Sequence, residues 1–497
     1  MSKHYSFKHF SILPIINLVA ILSAFIGLTM VFSLFVALAY GEGDAWAIGK
    51  SMIISLSFGA ILWGVSRHDY EMNSRQGFLS VTLSWIVASA FGALPLYFAT
   101  DFSYTDSFFE AMSGFTTTGA SVISDIEALP HGILFWRSFT HWLGGMGIIV
   151  FTVTIMPLLG KSGTLLFAAE APGPVSDKLT PKISETATLL YLVYAGISFA
   201  EYLLLWLGPM DWFDAACHTF GTMATGGFST KNTSVAYFNS PYVDWVIIVF
   251  MILAGTNFVL HYAGLHGKVL KYFKDREWRF WMFVLLGSTL FIYGNLLTDH
   301  FYDQSTKVIS DLKENPFRQI VFQVVSIVTT TGFATADYEG WSIYSQMLIF
   351  MLMFVGGMAG STAGGIKAIR VLLFMKMAFV ELRRMIHPHG YLPVKLGTEI
   401  VDEGAIKNTI AFLLFYVLVM GVTTLTFTFY GHDIVTSMTA TVSMLSNVGP
   451  GLGDIGPTNN FAFFADSEKW IMSFVMLMGR LEILTVIVIF NRHFWRF

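Results

Sequence analysis

Charged side chains are scarce in this sequence of 497 residues. Only 12% of the residues are Asp, Glu, Lys or Arg, whereas soluble globular proteins carry about 25%. A single cysteine, Cys217, excludes an intrachain disulfide and a cysteine-based metal site. No Ser/His/Asp set is recognisable, and His, Asp and Glu do not recur at the spacing of a catalytic metal site. These absences speak against an enzyme, and we predict none.

Long apolar runs take the place of charge, and 54% of the residues are hydrophobic. From Phe10 to Tyr40 there is no Asp, Glu, Lys or Arg. This run exceeds the roughly 20 residues that cross a bilayer as a helix. It is also longer than the apolar core of a signal peptide, which is about 7–15 residues. The run therefore predicts a membrane helix that is retained.

Run length along the chain predicts an all-α polytopic membrane protein with ten crossings. The predicted crossings are Ser11–Tyr40, Ala47–Val65, Gly77–Ala99, Leu129–Leu159, Ala187–Leu207, Tyr242–Leu265, Phe280–Leu297, Trp341–Val380, Ile406–Tyr430 and Trp470–Phe490. With the N-terminus placed in the cytoplasm, 21 of the 29 Lys and Arg lie on the inner side and seven on the outer side. Only Arg480, inside the last crossing, is assigned to neither side. Positive-inside sorting therefore supports the count and predicts that both termini are cytoplasmic.

Four outer connections each hold a helix-like stretch that is too short to span a membrane. These stretches are Thr105–Ser113, Trp212–Thr222, Pro316–Val328 and Ile434–Ser446. Each is followed by a turn of small residues, at 116–120, 224–228, 329–333 and 447–451. The glycines Gly119, Gly226, Gly332 and Gly449 are separated by 107, 106 and 117 residues. The sequence thus predicts a repeated unit of span, half-helix, glycine turn and span.

This repeat divides the chain into five predicted parts. Residues 1–70 form two additional N-terminal transmembrane helices. Residues 71–162, 163–270, 271–385 and 386–497 form four pore repeats around one central pathway, and the second helix of the third repeat is interrupted.

The repeated unit has a physical rationale as a cation pathway. A short helix that enters from outside and stops midway directs its C-terminal carbonyls, about half a negative charge, toward the bilayer centre. Non-helical backbone is tolerated at that depth only where it is buried in protein or lines water. Its carbonyls can replace the water shell of an ion. No carboxylate lies in any of the four turns, which favours a monovalent over a divalent cation. A small-residue packing turn is the alternative for any one of them, and four turns in register argue against it.

At these residues the sequence resembles the Trk/Ktr/HKT superfamily of potassium transporters, and within it the bacterial TrkH/TrkG branch. The resemblance covers nearly the whole chain. It implies potassium uptake through a filter with one glycine from each repeat, carried over here to Gly119, Gly226, Gly332 and Gly449. Glycine rather than serine in the first turn implies potassium rather than sodium. The fourth turn, with Asn447, departs from the Thr-Gly pattern and makes the filter only pseudo-fourfold. The expected ion-binding residues are Thr117, Thr118, Gly119, Ala224, Thr225, Gly226, Thr330, Thr331, Gly332, Asn447, Val448 and Gly449.

The predicted crossing Trp341–Val380 is too long for one straight helix. Its roughly 40 residues would make about 60 Å of helix, twice the hydrocarbon thickness. The glycine-rich stretch from Gly356 to Gly365 is the expected break, because glycine propagates a helix poorly. A phosphate loop is excluded because Ile366 precedes Lys367. Close helix packing and a flexible segment in the pore both remain open from the residues alone. The resemblance implies the second, an intramembrane gating loop. Its expected gating residues are Gly356, Gly357, Gly360, Ser361, Thr362, Gly364, Gly365 and, in the last span, Arg480.

Arg480 is a charge placed deep in the last crossing. Such a charge is costly and usually faces a polar interior. Glu482 is two residues away, on a different face of a helix, and is a poor partner. A structural salt bridge between helices and a positive barrier near the ion pathway are the two interpretations. The resemblance favours the barrier.

The resemblance also implies partners. A homodimer and a cytosolic TrkA-like nucleotide-binding subunit are expected, the latter docking on the basic inner loops. The chain itself is expected to bind no cofactor: potassium is its substrate, and a nucleotide belongs to the partner. We expect a multi-pass protein in the bilayer of the bacterial inner membrane, with no nucleic-acid ligand. The alternatives are a sodium-permeable or a proton- or sodium-coupled cation transporter of the same fold. A secondary transporter of an organic solute is a further alternative, but it would need charged midplane residues.

Overall fold

The computed structural model describes residues 11–66, 72, 74–147, 183–302, 315–397 and 399–495. Within these ranges most of the chain is helical. The second half of the predicted span Leu129–Leu159 lies outside the described residues. So do the predicted boundaries between residues 70 and 71 and between residues 162 and 163.

The first half of the chain contains helices α1 (Leu13–Tyr40), α2 (Ala45–Ser66), α3 (Ser74–Gly92), α4 (Leu94–Ala99), α5 (Tyr104–Phe115), α6 (His131–Gly145), α7 (Ile183–Trp206), α8 (Trp212–Met223), α9 (Pro241–Ala254) and α10 (Phe258–Leu265). The second half contains α11 (Leu270–Lys274), α12 (Arg276–Tyr302), α13 (Pro316–Val328), α14 (Ile343–Leu352), α15 (Ala368–Ile386), α16 (Glu403–Phe429), α17 (Ile434–Ser446), α18 (Asp466–Arg480), α19 (Ile483–Ile487) and α20 (Arg492–Trp495). Short 3₁₀ segments lie at Ser234–Phe238, Tyr338–Gly340, Gly453–Ile455 and Val488–Phe490.

One small β-ladder departs from the all-α prediction. Strands β1 (Lys395–Leu396) and β2 (Glu399–Ile400) pair antiparallel, with Lys395 opposite Ile400. Gly397 follows β1 with a φ of 73°, a left-handed conformation that glycine adopts without steric cost. The ladder lies in the connection between α15 and α16, and Leu396 of β1 packs against a small cluster with Ile369 and Leu373 of α15.

Helices α1 and α2 form a tightly packed antiparallel pair. α1 ends at Gly41, whose N–H donates to the Ala37 carbonyl in a left-handed C-cap. A Cβ added at Gly59 in α2 would lie 2.7 Å from the Ala20 carbonyl oxygen. Small residues therefore let the two backbones approach closely, as is common between membrane helices.

The number of crossings in the structure depends on how bent helices are counted. Six described helices are long and apolar enough to cross a membrane. Two bent pairs raise the number to eight: α9 with α10, bent by 103°, and α18 with the segment Ile483–Phe490, bent by 115°. The predicted span Trp341–Val380 is divided into α14 and α15, with non-helical chain between them. Breaks near glycines thus divide three of the predicted spans, and the count of ten stays a prediction.

All four predicted half-helices are present, as α5, α8, α13 and α17. Each begins at a side chain that accepts a backbone N–H of its first turn, which stabilises the exposed helix end. These N-caps are Ser103, Asp211, Asn315 and Asp433. Three of the helix ends agree with the predicted boundaries to within about one residue, and α5 extends two residues further than predicted.

The last part of the chain packs against the first. Met472 and Met476 of α18 share one hydrophobic cluster with Phe108 and Met112 of α5. Lys469 in the first turn of α18 forms an ion pair with Asp106 of α5, with Nζ and Oδ1 2.6 Å apart. The arrangement of the four half-helices therefore closes on itself.

Candidate ion pathway

The four turns that follow the half-helices have one backbone conformation. Each turn begins with a left-handed residue whose φ is between 54° and 56°. These residues are Thr117, Thr225, Thr330 and Asn447. The first three are the second residue after their half-helix, and Asn447 is the first residue after α17. Two residues later a left-handed glycine follows, with φ between 79° and 96°: Gly119, Gly227, Gly332 and Gly449. Left-handed Thr is sterically unfavourable, so three such Thr residues in register, with Asn447 as the fourth, indicate a conformation that the surroundings impose.

Hydrogen bonds repeat with the same register. The N–H of the residue between the two left-handed positions donates to a carbonyl five residues earlier, inside the half-helix, at 2.8–2.9 Å. The donor and acceptor pairs are Thr118 and Ser113, Gly226 and Gly221, Thr331 and Ser326, and Val448 and Ser443. Thr118, Gly226, Thr331 and Val448 are therefore equivalent.

This equivalence corrects the predicted alignment of the second turn. The sequence placed Gly226 with Gly119, Gly332 and Gly449, whereas the structure places Gly227 there. Gly226 corresponds instead to Thr118. Two adjacent glycines are indistinguishable by spacing alone, and only the backbone angles and hydrogen bonds resolve the register.

The four left-handed glycines close a ring of contacts between turns. A Cβ added at each glycine would lie less than 3.0 Å from the carbonyl oxygen of one residue in the next turn. The pairs run from Gly119 to Gly226, from Gly227 to Thr331, from Gly332 to Val448 and from Gly449 back to Thr118. The turns thus lie side by side in chain order around a common centre, and no side chain fits at the glycine positions.

Side chains of the turns are neutral and mostly held within the protein. The Thr116 and Thr118 hydroxyls lie 2.8 Å apart, and the Thr329 and Thr331 hydroxyls are paired in the same way. Asn447 donates from Nδ2 to the Thr118 hydroxyl at 2.9 Å, so the divergent fourth turn is tied to the first. What the turns offer a ligand is carbonyl and hydroxyl oxygen, the donor type that suits a dehydrated monovalent cation.

The glycine-rich segment between α14 and α15 lies beneath the turns. Gly364 donates its N–H to the Thr330 hydroxyl at 2.7 Å. The Thr362 hydroxyl donates to the carbonyl of Met223, the last residue of α8, at 3.0 Å. A Cβ at Gly364 would also collide with the Ser446 carbonyl oxygen. The segment therefore touches the ends of the second, third and fourth half-helix or turn.

Backbone hydrogen bonds connect the two ends of this segment. Gly356 donates to the Ile366 carbonyl at 2.9 Å, and Ala368 donates to the Gly357 carbonyl at 3.0 Å. One oxygen of Glu277, at the start of α12, accepts from the N–H groups of Ala359 and Ile369, at 2.8 and 3.0 Å. The loop is therefore held by a single carboxylate on both sides, a role that nothing in the sequence near Glu277 indicated.

Arg480 binds this loop from the other side. Its guanidinium donates to the Thr362 carbonyl at 2.7 Å and to the carbonyls of Gly144 and Gly145 at 2.6 and 2.7 Å. Glu482 forms an ion pair with Arg370 of α15 instead. The predicted gating residues are thus brought together: the loop, Arg480 and the C-terminal end of α6 form one contact region below the turns.

A model of the TrkH family, described as cation transport protein, matches residues 45–496. The chain belongs to the TrkH family. TrkH of Salmonella typhimurium, a Trk system potassium uptake protein, is 41% identical over 475 residues, covering 94% of this chain and 96% of that protein. TrkG of Escherichia coli K12, also a Trk system potassium uptake protein, is 33% identical over 474 residues, with the same coverage. The crystal structure of the potassium transporter TrkH from Vibrio parahaemolyticus matches with a TM-score of 0.86 and 36% identity, over 98% of this chain and 100% of that one.

Membership of the TrkH family agrees with the resemblance inferred from the four turns. It makes this chain a multi-pass, predominantly helical membrane protein of a family of cation transport proteins. Among the described residues, no group of three or more His, Cys, Asp or Glu has the geometry of a metal site.

Proposed function

We propose that this protein takes up potassium across the bacterial inner membrane through a pathway lined by the four turns. The observation that carries the proposal is the closed ring in which each left-handed glycine lies against the carbonyl of the next turn. Backbone oxygens arranged around one centre can replace the water shell of a monovalent cation. The names of the relatives, potassium uptake proteins, support K⁺ as that cation.

The proposed filter follows the corrected register. Gly119, Gly227, Gly332 and Gly449 are the close-approach positions, and the residue before each supplies a carbonyl toward its neighbour. Gly226 remains a proposed filter residue because its carbonyl oxygen lies against Gly119. The other proposed ion-binding residues are Thr117, Thr118, Ala224, Thr225, Thr330, Thr331, Asn447 and Val448.

The proposed topology has ten crossings and both termini in the cytoplasm. Two N-terminal helices precede four repeats at residues 71–162, 163–270, 271–385 and 386–497. The sorting of basic residues and the repeated backbone of the turns support it. The half-helices then enter from outside, so that their C-terminal carbonyls face the bilayer centre.

The loop from Gly356 to Gly365 is proposed as the gate. Its position under three of the half-helices or turns, and its contact with Arg480 through Thr362, support a location between the proposed filter and the proposed cytoplasmic side. Arg480 is proposed to add a positive barrier and to hold the loop closed. A TrkA-like nucleotide-binding subunit acting on the inner face, and a homodimer, are proposed on the family relationship.

Ion flux into liposomes tests the proposed function. The purified full chain, reconstituted in separate liposomes with equal inward gradients of K⁺ or of Na⁺, is expected to carry K⁺ well above protein-free liposomes and above the Na⁺ flux. Equal K⁺ and Na⁺ fluxes would contradict a potassium filter. A K⁺ flux that appears only with an imposed proton gradient would assign coupled transport instead of a channel.

A further inference from the structure

The second turn differs from the other three in having no side chain at the position before its left-handed glycine. In the first and third turns this position is Thr118 or Thr331, whose hydroxyl pairs with that of a threonine two residues earlier. In the fourth turn it is Val448, which packs in the hydrophobic core. In the second turn it is Gly226, which has no side chain to make such a contact.

A histidine from the preceding repeat occupies the missing space. A Cβ added at Gly226 would lie 2.5 Å from Cγ of His141, with Nδ1 and Cδ2 almost as near. His141 lies on α6 and is fully buried. Its ring packs on that of Phe228 with the centroids 4.0 Å apart. The imidazole therefore stands where the other turns have a side chain of their own.

Both nitrogens of this ring are used in hydrogen bonds to backbone. Nδ1 lies 2.7 Å from the carbonyl oxygen of Gly114, in the last turn of α5. The N–H of Phe228, next to Gly227, donates to Nε2 at 3.2 Å. Because the Gly114 carbonyl only accepts and the Phe228 N–H only donates, the pattern selects the neutral tautomer with the proton on Nδ1. The ring thus joins the first half-helix to the second turn.

A neighbouring arginine reinforces the same junction. Arg137, one helical turn before His141, donates from Nη1 to the Ser229 carbonyl at 3.1 Å, and its guanidinium lies 3.5 Å from the Phe228 ring centroid. Glu110 of α5 holds that guanidinium, with the Arg137 Nε 2.6 Å from Oε1. The exit of the second turn is therefore fixed at two successive residues by one face of α6.

We propose that His141 is a specificity-determining positioning residue: it sets the second turn of the filter against the first half-helix in place of a side chain at Gly226. The inference rests on the proposed function, because it assigns ion discrimination to the geometry of the four turns. The Gly226 carbonyl abuts Gly119 in the ring, so a displaced second turn changes the spacing of oxygens around the ion. Ion preference then changes even where the protein stays folded.

Two substitutions separate hydrogen bonding from bulk. His141→Leu keeps an apolar side chain in the space but leaves the Gly114 carbonyl and the Phe228 N–H without their partner. His141→Gln supplies one N–H and one carbonyl oxygen, so it can restore both bonds. We expect the K⁺/Na⁺ flux ratio to fall about tenfold in His141→Leu, the effect of losing one to two buried hydrogen bonds. His141→Gln is expected to stay within about twofold of the wild type, a difference too small to signal a lost bond.

A second histidine provides the matched control. His261 in α10 is also buried, and its nitrogens lie 2.7 Å from the Tyr272 hydroxyl and from the Leu253 carbonyl oxygen. His261→Leu removes the same atoms away from the turns and is expected to keep the wild-type flux ratio. A similar fall in His261→Leu would overturn the inference, because the effect would then belong to any buried histidine.

A single and a double variant test directly whether the His141 ring fills the space beside Gly226. They also keep the inference testable if His141→Leu does not fold. Gly226→Ala is expected to lose folded protein or flux, since its methyl would collide with the ring. The double variant Gly226→Ala, His141→Ala is expected to recover flux relative to Gly226→Ala alone. A double variant no better than Gly226→Ala would contradict the proposed contact.

The deciding measurement is the K⁺/Na⁺ flux ratio in liposomes, normalised to monodisperse protein from size-exclusion chromatography. A folded His141→Leu with the wild-type ratio would overturn the inference and leave the proposed function standing. A wild-type protein without K⁺ preference would overturn the proposed function, and the inference with it.

Discussion

Helices α6 and α18 lie against the ends of their own half-helices in the same way, and they differ in chemistry. A Cβ at Gly144 of α6 would meet the carbonyl of Phe115, and a Cβ at Gly479 of α18 would meet that of Leu445, the equivalent residue. Seven and three residues before the glycine, α6 has Arg137 and His141. At the same distances α18 has Met472 and Met476, both fully buried.

The two helices therefore make the same close backbone contact but are held in place by different side chains. We call the contact of α6 with the second turn the first seam, and the contact of α18 with α5 the last seam. The first seam is ionic and hydrogen-bonded, and it meets a turn that lacks a side chain at Gly226. The last seam is apolar at its centre and has one ion pair, between Lys469 and Asp106, at its end. Asn447 crosses it to the Thr118 hydroxyl. The same backbone conformation can thus be held by packing or by polar contacts, depending on what the turn itself provides.

The largest effect is expected from giving the first seam the composition of the last. Arg137→Met leaves the buried Glu110 without its charge partner, and breaking a buried pair in this way costs about 3–5 kcal/mol. We expect a large loss of thermal stability in detergent, measured by fluorescence-detected size exclusion. Met472→Leu, a volume-conserving change at the equivalent position, is the control and is expected to cost less than about 1.5 kcal/mol.

Adding Glu110→Gln to Arg137→Met is expected to recover part of that stability, because the unpaired charge is removed. An Arg137→Met protein as stable as the wild type would contradict the contrast between the two seams.

Gly227→Ala comes next and tests whether all four turns need the same close approach. Its Cβ would collide with the Thr331 carbonyl at a φ of 79°. We expect K⁺ flux to fall about a hundredfold, equivalent to about 3 kcal/mol of strain. Gly43→Ala is the control, since Gly43 has a φ of 90° and nothing within 4 Å of an added Cβ. Wild-type flux in Gly227→Ala would contradict the assignment of Gly227 as the close-approach glycine and favour Gly226 in that role.

Arg480→Ala probes the link between the two compared helices, since Arg480 of α18 binds the carbonyls at the end of α6 as well as the loop. Three hydrogen bonds are removed, so the closed loop is weakened, and we expect basal flux without a regulator to rise about tenfold. The measurement is leak in liposomes per folded molecule. An unfolded variant would support the structural interpretation of Arg480, and a folded one with wild-type leak would exclude the barrier.

The smallest effect is expected at the ion pair of the last seam. Asp106→Asn weakens the contact with Lys469, whose side chain is buried, whereas that of Asp106 is 22% exposed. We expect a loss of about 1 kcal/mol in unfolding free energy, because Asn keeps an oxygen that accepts from Lys469. The loss should shrink in high salt, and a cost above that of Arg137→Met would reverse the ranking of the seams.

Regular features of the sequence predicted the regular features of the structure. The four half-helices begin at capping side chains and end at small-residue turns, so local patterns placed them within one or two residues. The glycine-rich segment broke its span as predicted, because ten residues with five glycines cannot sustain a helix. The bends of 103° and 115° in two other spans were not predicted, since a single Gly255 or Gly479 is tolerated in many helices.

Local pattern alone determined the class of protein, the position of the half-helices and the chemistry of the turns, because run length, caps and glycine are properties of neighbouring residues. The tertiary structure decided the rest. Whether Gly226 or Gly227 faces the next turn depends on a carbonyl more than a hundred residues away. His141, Glu277 and Arg480 act on backbone groups that no spacing relates to them. Such contacts are fixed only when the four turns meet around one centre, because each is completed by a different part of the chain.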